Sequence, residues 1–185
     1  MPRRYLPKNC TCALALCGLL LAGSPLSFAA DTVYQEPADF LEQYLPGCKQ
    51  QALWLNGDAK AQVEDVVGHP FPGVRVRYCG AAGKTAWILD EIGKTEPITS
   101  GVVVDNGRVE RVRVLVFRES RGGEVHRDAF VRQYEDATLE ADRSLDRPID
   151  GITGATLSVY ALSRQVKLAL YLDEVARQTA AQASP

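Results

Sequence analysis

The residues best suited to chemistry are Asp150-Gly151-Ile152-Thr153-Gly154-Ala155-Thr156-Leu157-Ser158, where small and hydroxyl residues precede a long helix-forming run. This pattern places Thr156 on the first turn of the helix. The N-terminus of a helix exposes unpaired N–H groups and the positive end of the helix dipole, which favours a bound anion such as a phosphate. Gly154 and Ala155 leave room for a ligand to approach. The alternative interpretation is a capped helix start that binds nothing.

A second candidate is the stretch 118–125, which comes after a predicted strand and contains Gly122 and Gly123. A Gly-Gly pair in this place is either a simple turn or a loop whose backbone N–H groups can approach a flat polar ring. Arg118 or Arg121 would supply positive charge beside such a ring. The sequence leaves both interpretations open.

The helix that begins at this motif is predicted over residues 154–178 and is the longest in the chain. At about 100° per residue, its polar side chains, including Arg164, Lys167 and Glu174, fall in one narrow sector. Apolar residues cover most of the remainder, so we expect the helix to be largely buried. Thr156 falls in the polar sector, and its hydroxyl is therefore expected to face outward, within reach of another protein.

The elements that must position these residues alternate in a way typical of strands. Strands are predicted at 74–78 and 85–89, followed by a hairpin of 98–104 and 109–117 around the turn Asp105-Asn106-Gly107. In the last strand one face is expected to carry Val112, Val114 and Val116, and the other Arg111, Arg113, Leu115 and Phe117. One of these faces should reach the core, and the other should meet solvent or a partner.

Helices are predicted at 37–45, 58–67 and 126–134, the last with Phe130, Val131 and Tyr134 inward, before a surface connection over 139–147. The expected fold class is α+β, with a twisted antiparallel sheet packed against helices and a long C-terminal helix that starts at Thr156. Residues 30–73 are interpreted as an N-terminal helical extension, 74–178 as the main domain and 179–185 as a flexible tail.

Residues 1–29 are typical of a secretory signal peptide. A basic start containing Arg3, Arg4 and Lys8 precedes an apolar run over 12–23, which is short for a membrane span. Small residues before position 30 favour cleavage after Ala29, with a retained membrane anchor as the alternative. We therefore expect an exported, periplasmic protein.

Cleavage would change both the charge and the cysteine content. The Lys and Arg count falls from 21 to 18 against 23 Asp and Glu, which gives a net charge of −5 and disfavours nucleic-acid binding. Of the five cysteines only Cys48 and Cys79 remain, an even pair in an oxidising compartment that predicts a structural disulfide. The two widely separated histidines suggest no metal cluster.

Three blocks together resemble the FMN-binding domain family. Residues 150–158 resemble its flavinylation motif, commonly Asp-x-x-Ser/Thr-Gly-Ala-Thr-x-Ser/Thr, and the blocks at 93–98 and 117–125 are similar to that family's in order and spacing. The resemblance covers roughly residues 74–175. The same domain occurs in flavinylated periplasmic subunits of the sodium-pumping NADH:quinone reductase and of the Rnf complex.

The resemblance implies that FMN is joined through its phosphate to the hydroxyl of Thr156. A separate flavin transferase, which uses FAD and magnesium, would make this bond. The family's glycine-containing loop contacts the isoalloxazine ring, and the matching positions here are Glu119, Ser120, Gly122 and Gly123. Gly154 and Ala155 would leave space at the phosphate, and Thr153 stands where Ser is commoner but still offers a capping hydroxyl. Asp150 is assigned to turn structure or to recognition by the transferase, because a carboxylate repels a phosphate.

The chain differs from those membrane-complex subunits, which usually carry a Thr-Pro-Gly-Leu-Gly loop where this sequence has Ser-Arg-Gly-Gly. The favoured hypothesis is a soluble or peripheral electron carrier with covalent FMN, served by a redox partner that is itself associated with the membrane. One alternative is a binding or assembly module of the same fold without flavin. Another is an enzyme with its own substrate, although no nucleophile and base pattern supports it.

Overall fold

The computed structural model describes residues 31–183, so residues 1–30, which include the predicted signal peptide, and the last two residues of the tail lie outside this range. It contains one antiparallel sheet of six strands in the order β1-β6-β5-β4-β3-β2. The strands are β1 (Thr32–Val33), β2 (Lys49–Trp54), β3 (Arg75–Ala81), β4 (Lys84–Ile92), β5 (Pro97–Asp105) and β6 (Arg108–Phe117). The helices are α1 (Pro37–Tyr44), α2 (Gly57–Val67), α3 (Asp128–Val131) and α4 (Thr156–Ala183). The α+β class and the long C-terminal helix starting at Thr156 are confirmed.

Helices cover both faces of the sheet. The larger apolar cluster lies between α2, α4 and one face, and includes Trp87, Val102 and Leu162. The smaller cluster lies under α1 and is centred on Phe40. The Phe40 ring lies directly on Gly101, since a Cβ placed there would be 2.6 Å from the ring. Within residues 31–183, no helix combines the length and the hydrophobicity that a membrane-spanning segment needs.

The central hairpin is confirmed, with β5 and β6 joined by the two-residue turn Asn106-Gly107. Both residues have positive φ, 48° and 81°, as a tight hairpin turn requires. The predicted facing of β6 is wrong at its end. Thr99 pairs with Val116 and Ser100 with Val114, so Leu115 is an unpaired bulge residue.

This bulge reverses the alternation of side chains after Val114. Leu115 and Val116 both lie in the smaller cluster under α1, whereas Phe117 joins Val112 and Val114 in the larger one. Neither face of this end of β6 is left to solvent, because Leu115, Val116 and Phe117 are all buried.

The segment before residue 74 contains strands as well as the two predicted helices. Helices α1 and α2 match the predicted ranges within one residue. Strands β1 and β2 were not predicted, and they form the two edges of the sheet. Strand β2 pairs with β3 along its whole length, and the predicted disulfide between Cys48 and Cys79 joins the start of β2 to β3.

The helix predicted at 126–134 is interrupted. A 3-10 turn at Gly123–His126 is followed by the short α3 and a further 3-10 turn at Arg132–Tyr134. Arg127 between them is extended, with φ −64° and ψ 136°, which ends the first turn. Phe130, Val131 and Tyr134 are nevertheless buried as predicted.

Candidate functional site

The start of α4 has free hydrogen-bond donors. Its first intrahelical bond runs from the N–H of Val159 to the carbonyl of Ala155, at 3.0 Å. The N–H groups of Thr156, Leu157 and Ser158 therefore have no partner inside the helix. Thr156 is exposed, as the helical phase predicted, whereas Ala155 beside it is buried.

The residue before Ala155 bends the chain into the helix. Gly154 has φ +82°, a left-handed conformation that glycine adopts without strain, and no atom lies within 4 Å of the position of a Cβ. The N–H of Ala155 donates to the carbonyl of Ile152 at 2.9 Å, which closes the turn. The hydroxyl of Thr153 makes no hydrogen bond to any residue within 31–183, so the predicted capping contact is not seen. The approach to the first turn of α4 is consequently open.

The glycine loop after β6 packs directly against this first turn. Gly122 has φ +87°, and a Cβ there would lie 2.5 Å from the Ser158 hydroxyl oxygen and 3.4 Å from the Ala155 Cβ. A side chain at this position would therefore require Ser158 to move. The two sequence motifs, which are distant in the chain, are therefore in contact in space.

A groove of about 590 Å³ lies between the motifs, and a second hollow of about 490 Å³ continues from it. We call the first part the helix end, lined by Lys94, Glu119, Ser120, Arg121 and residues 154–158. We call the second part the loop end, lined by Ser120, Arg121, Gly122, Gly123, Glu124, His126, Arg127, Thr153 and Gly154. The structure brings all eight predicted cofactor-binding residues to these linings. Which of them contact a ligand stays a prediction.

Glu119 joins two loops at the helix end. Its carboxylate accepts hydrogen bonds from the backbone N–H groups of Lys94, Thr95 and Glu96, the last two at 2.6 and 2.9 Å. Partial burial raises the pKa of this carboxyl, but the hydrogen bonds from the three backbone donors and the Thr95 hydroxyl lower it by more. The pKa of Glu119 therefore lies below its ordinary value. Sequence reasoning assigned no role to residues 94–96, although they fall in one of the blocks of the resemblance. Their N–H groups are the partners that it missed.

The two candidate arginines have different surroundings. Arg118 donates to Asp31 at 3.0 Å, to the Pro97 carbonyl at 3.1 Å and to the Thr99 hydroxyl at 2.9 Å. It thus fastens the start of β1 to the sheet and does not line the groove. Arg121 is exposed, lines both ends of the groove, and has no acidic partner within residues 31–183.

Asp150 lies outside the groove lining. Its backbone N–H donates to the Gln133 side-chain oxygen at 2.8 Å, and its exposed carboxylate makes no hydrogen bond within the described range. Its carboxylate therefore does not line the surface where a phosphate would be favoured. This location is consistent with a role in turn structure or in recognition by another protein.

The charges at the helix end suit an anion. Lys94, Arg121 and the first turn of α4, with its three free N–H groups, line the same part of the groove as the exposed Thr156, and the Glu119 charge is already engaged by backbone donors. Among residues 31–183, no group of three or more His, Cys, Asp or Glu side chains is arranged to bind a metal ion. The arrangement is therefore chemically suited to a ligand that carries a phosphate at one end.

Comparison with known protein families gives one match. Residues 93–171 match the FMN-binding domain family. No curated protein and no solved structure matches the chain. The matched range begins at the loop that Glu119 fastens, contains the glycine loop and the Thr156 motif, and ends within α4. This match supports a flavin-binding role for residues 93–171, the part of the chain that contains most of the groove lining.

Proposed function

We propose that this chain is an exported electron-transfer flavoprotein that carries FMN covalently, through a phosphoester on the Thr156 hydroxyl. The observation that supports this most directly is the position of Thr156. Its exposed hydroxyl lies at the free N-terminus of α4, inside the groove of an FMN-binding domain.

The residues of the groove fit an FMN. The three free N–H groups of the first turn, with Arg121 and Lys94, would hold the phosphate, and Gly154 leaves open space beside it. Gly122 and Gly123 at the loop end present backbone without side chains, which suits a flat ring. Bound FMN supplies reversible transfer of one or two electrons, and the protein contributes position and electrostatics.

The attachment requires a second protein in this proposal. A flavin transferase brings FAD and magnesium to the groove, the Thr156 oxygen bonds to the phosphorus that becomes the FMN phosphate, and AMP leaves. The outward position of Thr156 supports access by such an enzyme. Leu157 and Tyr160 beside it are 48% and 55% exposed, so apolar surface is available there for the transferase and for a redox partner.

The proposed location is the periplasm, with a membrane-associated redox partner and no nucleic acid. The basic start and apolar run of residues 1–29 support export, and they lie outside the described residues. The disulfide between Cys48 and Cys79 supports an oxidising compartment. The net charge of −5 after cleavage disfavours nucleic acid.

Intact-mass measurement tests the proposal. Wild-type protein produced together with a flavin transferase should gain the mass of FMN less one water, and Thr156→Ala should gain nothing. Thr179→Ala is a matched control, because Thr179 is an exposed threonine on the same helix. An unmodified wild-type protein would reject covalent flavin and favour the non-flavinylated module. An adduct that survives Thr156→Ala would reject the assigned residue.

A further inference from the structure

Two aromatic rings at the loop end of the groove have no role in the proposal above. Tyr34 and His126 are stacked, with ring centroids 4.1 Å apart and ring planes 10° apart. His126 lines the loop end, whereas Tyr34 comes just after β1 and precedes the matched residues 93–171. The stack therefore connects the N-terminal segment to the groove of the FMN-binding domain.

The position of Tyr34 is fixed by the backbone around it. Its N–H donates to the Leu115 carbonyl at 2.8 Å, next to the pairing of β1 with β6. The ion pair between Asp31 and Arg118 holds the start of the same strand. These contacts place the Tyr34 ring against His126.

The hydrogen bonding of His126 defines which ring nitrogen is free. Its Nδ1 is bonded to the Gly123 carbonyl, and since a carbonyl oxygen only accepts, Nδ1 must carry the proton. In the neutral imidazole Nε2 is then an acceptor. No group within residues 31–183 bonds to this nitrogen. His126 therefore offers an unused acceptor in a residue that lines the groove.

We propose that the Tyr34–His126 stack positions the flavin ring at the loop end of the groove, with Nε2 of His126 accepting a hydrogen bond from the ring's N–H. This inference rests on the proposed function, because it concerns the same ligand. With the phosphate at the helix end, the loop end is the adjoining space for the other end of the molecule. An isoalloxazine ring carries an N–H between two carbonyl groups, which is a donor that matches the free Nε2, and its aromatic edge can pack beside the stacked pair.

The test uses the full chain, flavinylated by a transferase, with attachment checked by intact mass. In Tyr34→Ala the adduct should form as in wild type. The ratio of protein molecules with an immobilised flavin ring to those with a mobile one should fall by roughly two- to ten-fold, the change expected when one aromatic contact is lost. Time-resolved fluorescence anisotropy of the flavin measures this ratio. Tyr34→Phe should restore it, because the ring is kept. Trp54→Ala, which removes an exposed aromatic on the opposite edge strand, is the control.

His126 variants separate the stack from the hydrogen bond and leave β1 untouched. His126→Ala should lower the anisotropy as Tyr34→Ala does. His126→Phe should keep the anisotropy but shift the visible flavin absorption toward that of free FMN, since Nε2 is absent. Flavinylated Tyr34→Ala and His126→Ala proteins with wild-type anisotropy and absorption would overturn the inference and leave the proposed function standing. Absence of any adduct on wild-type protein would reject both.

Discussion

At the scale of single residues, the site depends on two glycines, which leave space because they carry no side chain. Gly154 opens the approach to Thr156, and Gly122 allows the loop to touch the first turn of α4. Both have positive φ, but only Gly122 also faces a neighbour too close for a Cβ. Gly122 is therefore the glycine whose replacement should disturb the groove most.

Gly122→Ala should lower the free energy of unfolding of the flavin-free protein by about 2 to 3 kcal/mol, from left-handed backbone strain and overlap with Ser158. Urea unfolding measures this. Adding Ser158→Ala should recover about 1 kcal/mol, because it removes the overlap but not the backbone strain. Gly151→Ala is the matched control, since its φ is not positive and no atom lies within 4 Å of the added methyl group. Equal stability of Gly122→Ala and Gly151→Ala would contradict the close packing of the loop against α4.

At the scale of elements, the groove is formed by three chain segments that are distant in sequence. The loop between β4 and β5, the loop after β6 and the first turn of α4 meet there. Gly122 allows the loop after β6 to pack against the first turn of α4. The Glu119 carboxylate joins the loop after β6 to the loop between β4 and β5 by hydrogen bonds. Glu119 is therefore interpreted as a positioning residue for the groove lining.

This interpretation predicts a pH dependence. Since the folded state lowers the Glu119 pKa, the stabilisation is fully present above the unfolded-state pKa of about 4.3 and is lost as pH falls through the lower folded-state value. Glu119→Gln should therefore destabilise the protein by about 1 kcal/mol near neutral pH, and the difference should shrink in acid. Urea unfolding across this pH range measures the difference.

Amide hydrogen exchange measures the loss of these Glu119 hydrogen bonds residue by residue. In Glu119→Gln the N–H groups of residues 94–96 should exchange faster, because their acceptor is weakened. Glu96→Gln is the control, since it changes a carboxylate in the same loop whose side chain is exposed. Equal exchange in the two variants would exclude the fastening role of Glu119.

At the scale of the whole molecule, the N-terminal segment contributes to both edges of the sheet. Strand β1 lies beside β6 near the groove, and β2 lies beside β3 at the opposite edge. Residues before the predicted boundary at 74 thus reach a residue of the groove lining, because Tyr34 stacks on His126, and they extend the sheet through β2. The smaller apolar cluster also depends on this segment, because Phe40 of α1 fills it.

Features that depend on local periodicity and turn chemistry were predictable from the sequence. The outward position of Thr156 came from helical phase, and the hairpin came from Asn106-Gly107. Strand β2 was missed because five of its six side chains are exposed and no apolar alternation marks it. The reversal at Leu115 was missed because a bulge depends on the pairing register, which alternation alone does not contain. The Tyr34–His126 contact spans 92 positions of the chain and depends on the pairing of β1 with β6.

The disulfide allows the contribution of the β2 edge to be measured. Cys48 and Cys79 are 31 positions apart, and closing a loop of this size should stabilise the fold by about 3 to 4 kcal/mol in the chain-entropy account. Cys48→Ala with Cys79→Ala should therefore unfold at lower urea concentration than oxidised wild type, and a reducing agent should shift wild type but not the variant. FMN attachment should persist under native conditions, because neither cysteine lines the groove. Loss of the adduct from a folded double variant would mean that the β2 edge and the groove are coupled through the sheet.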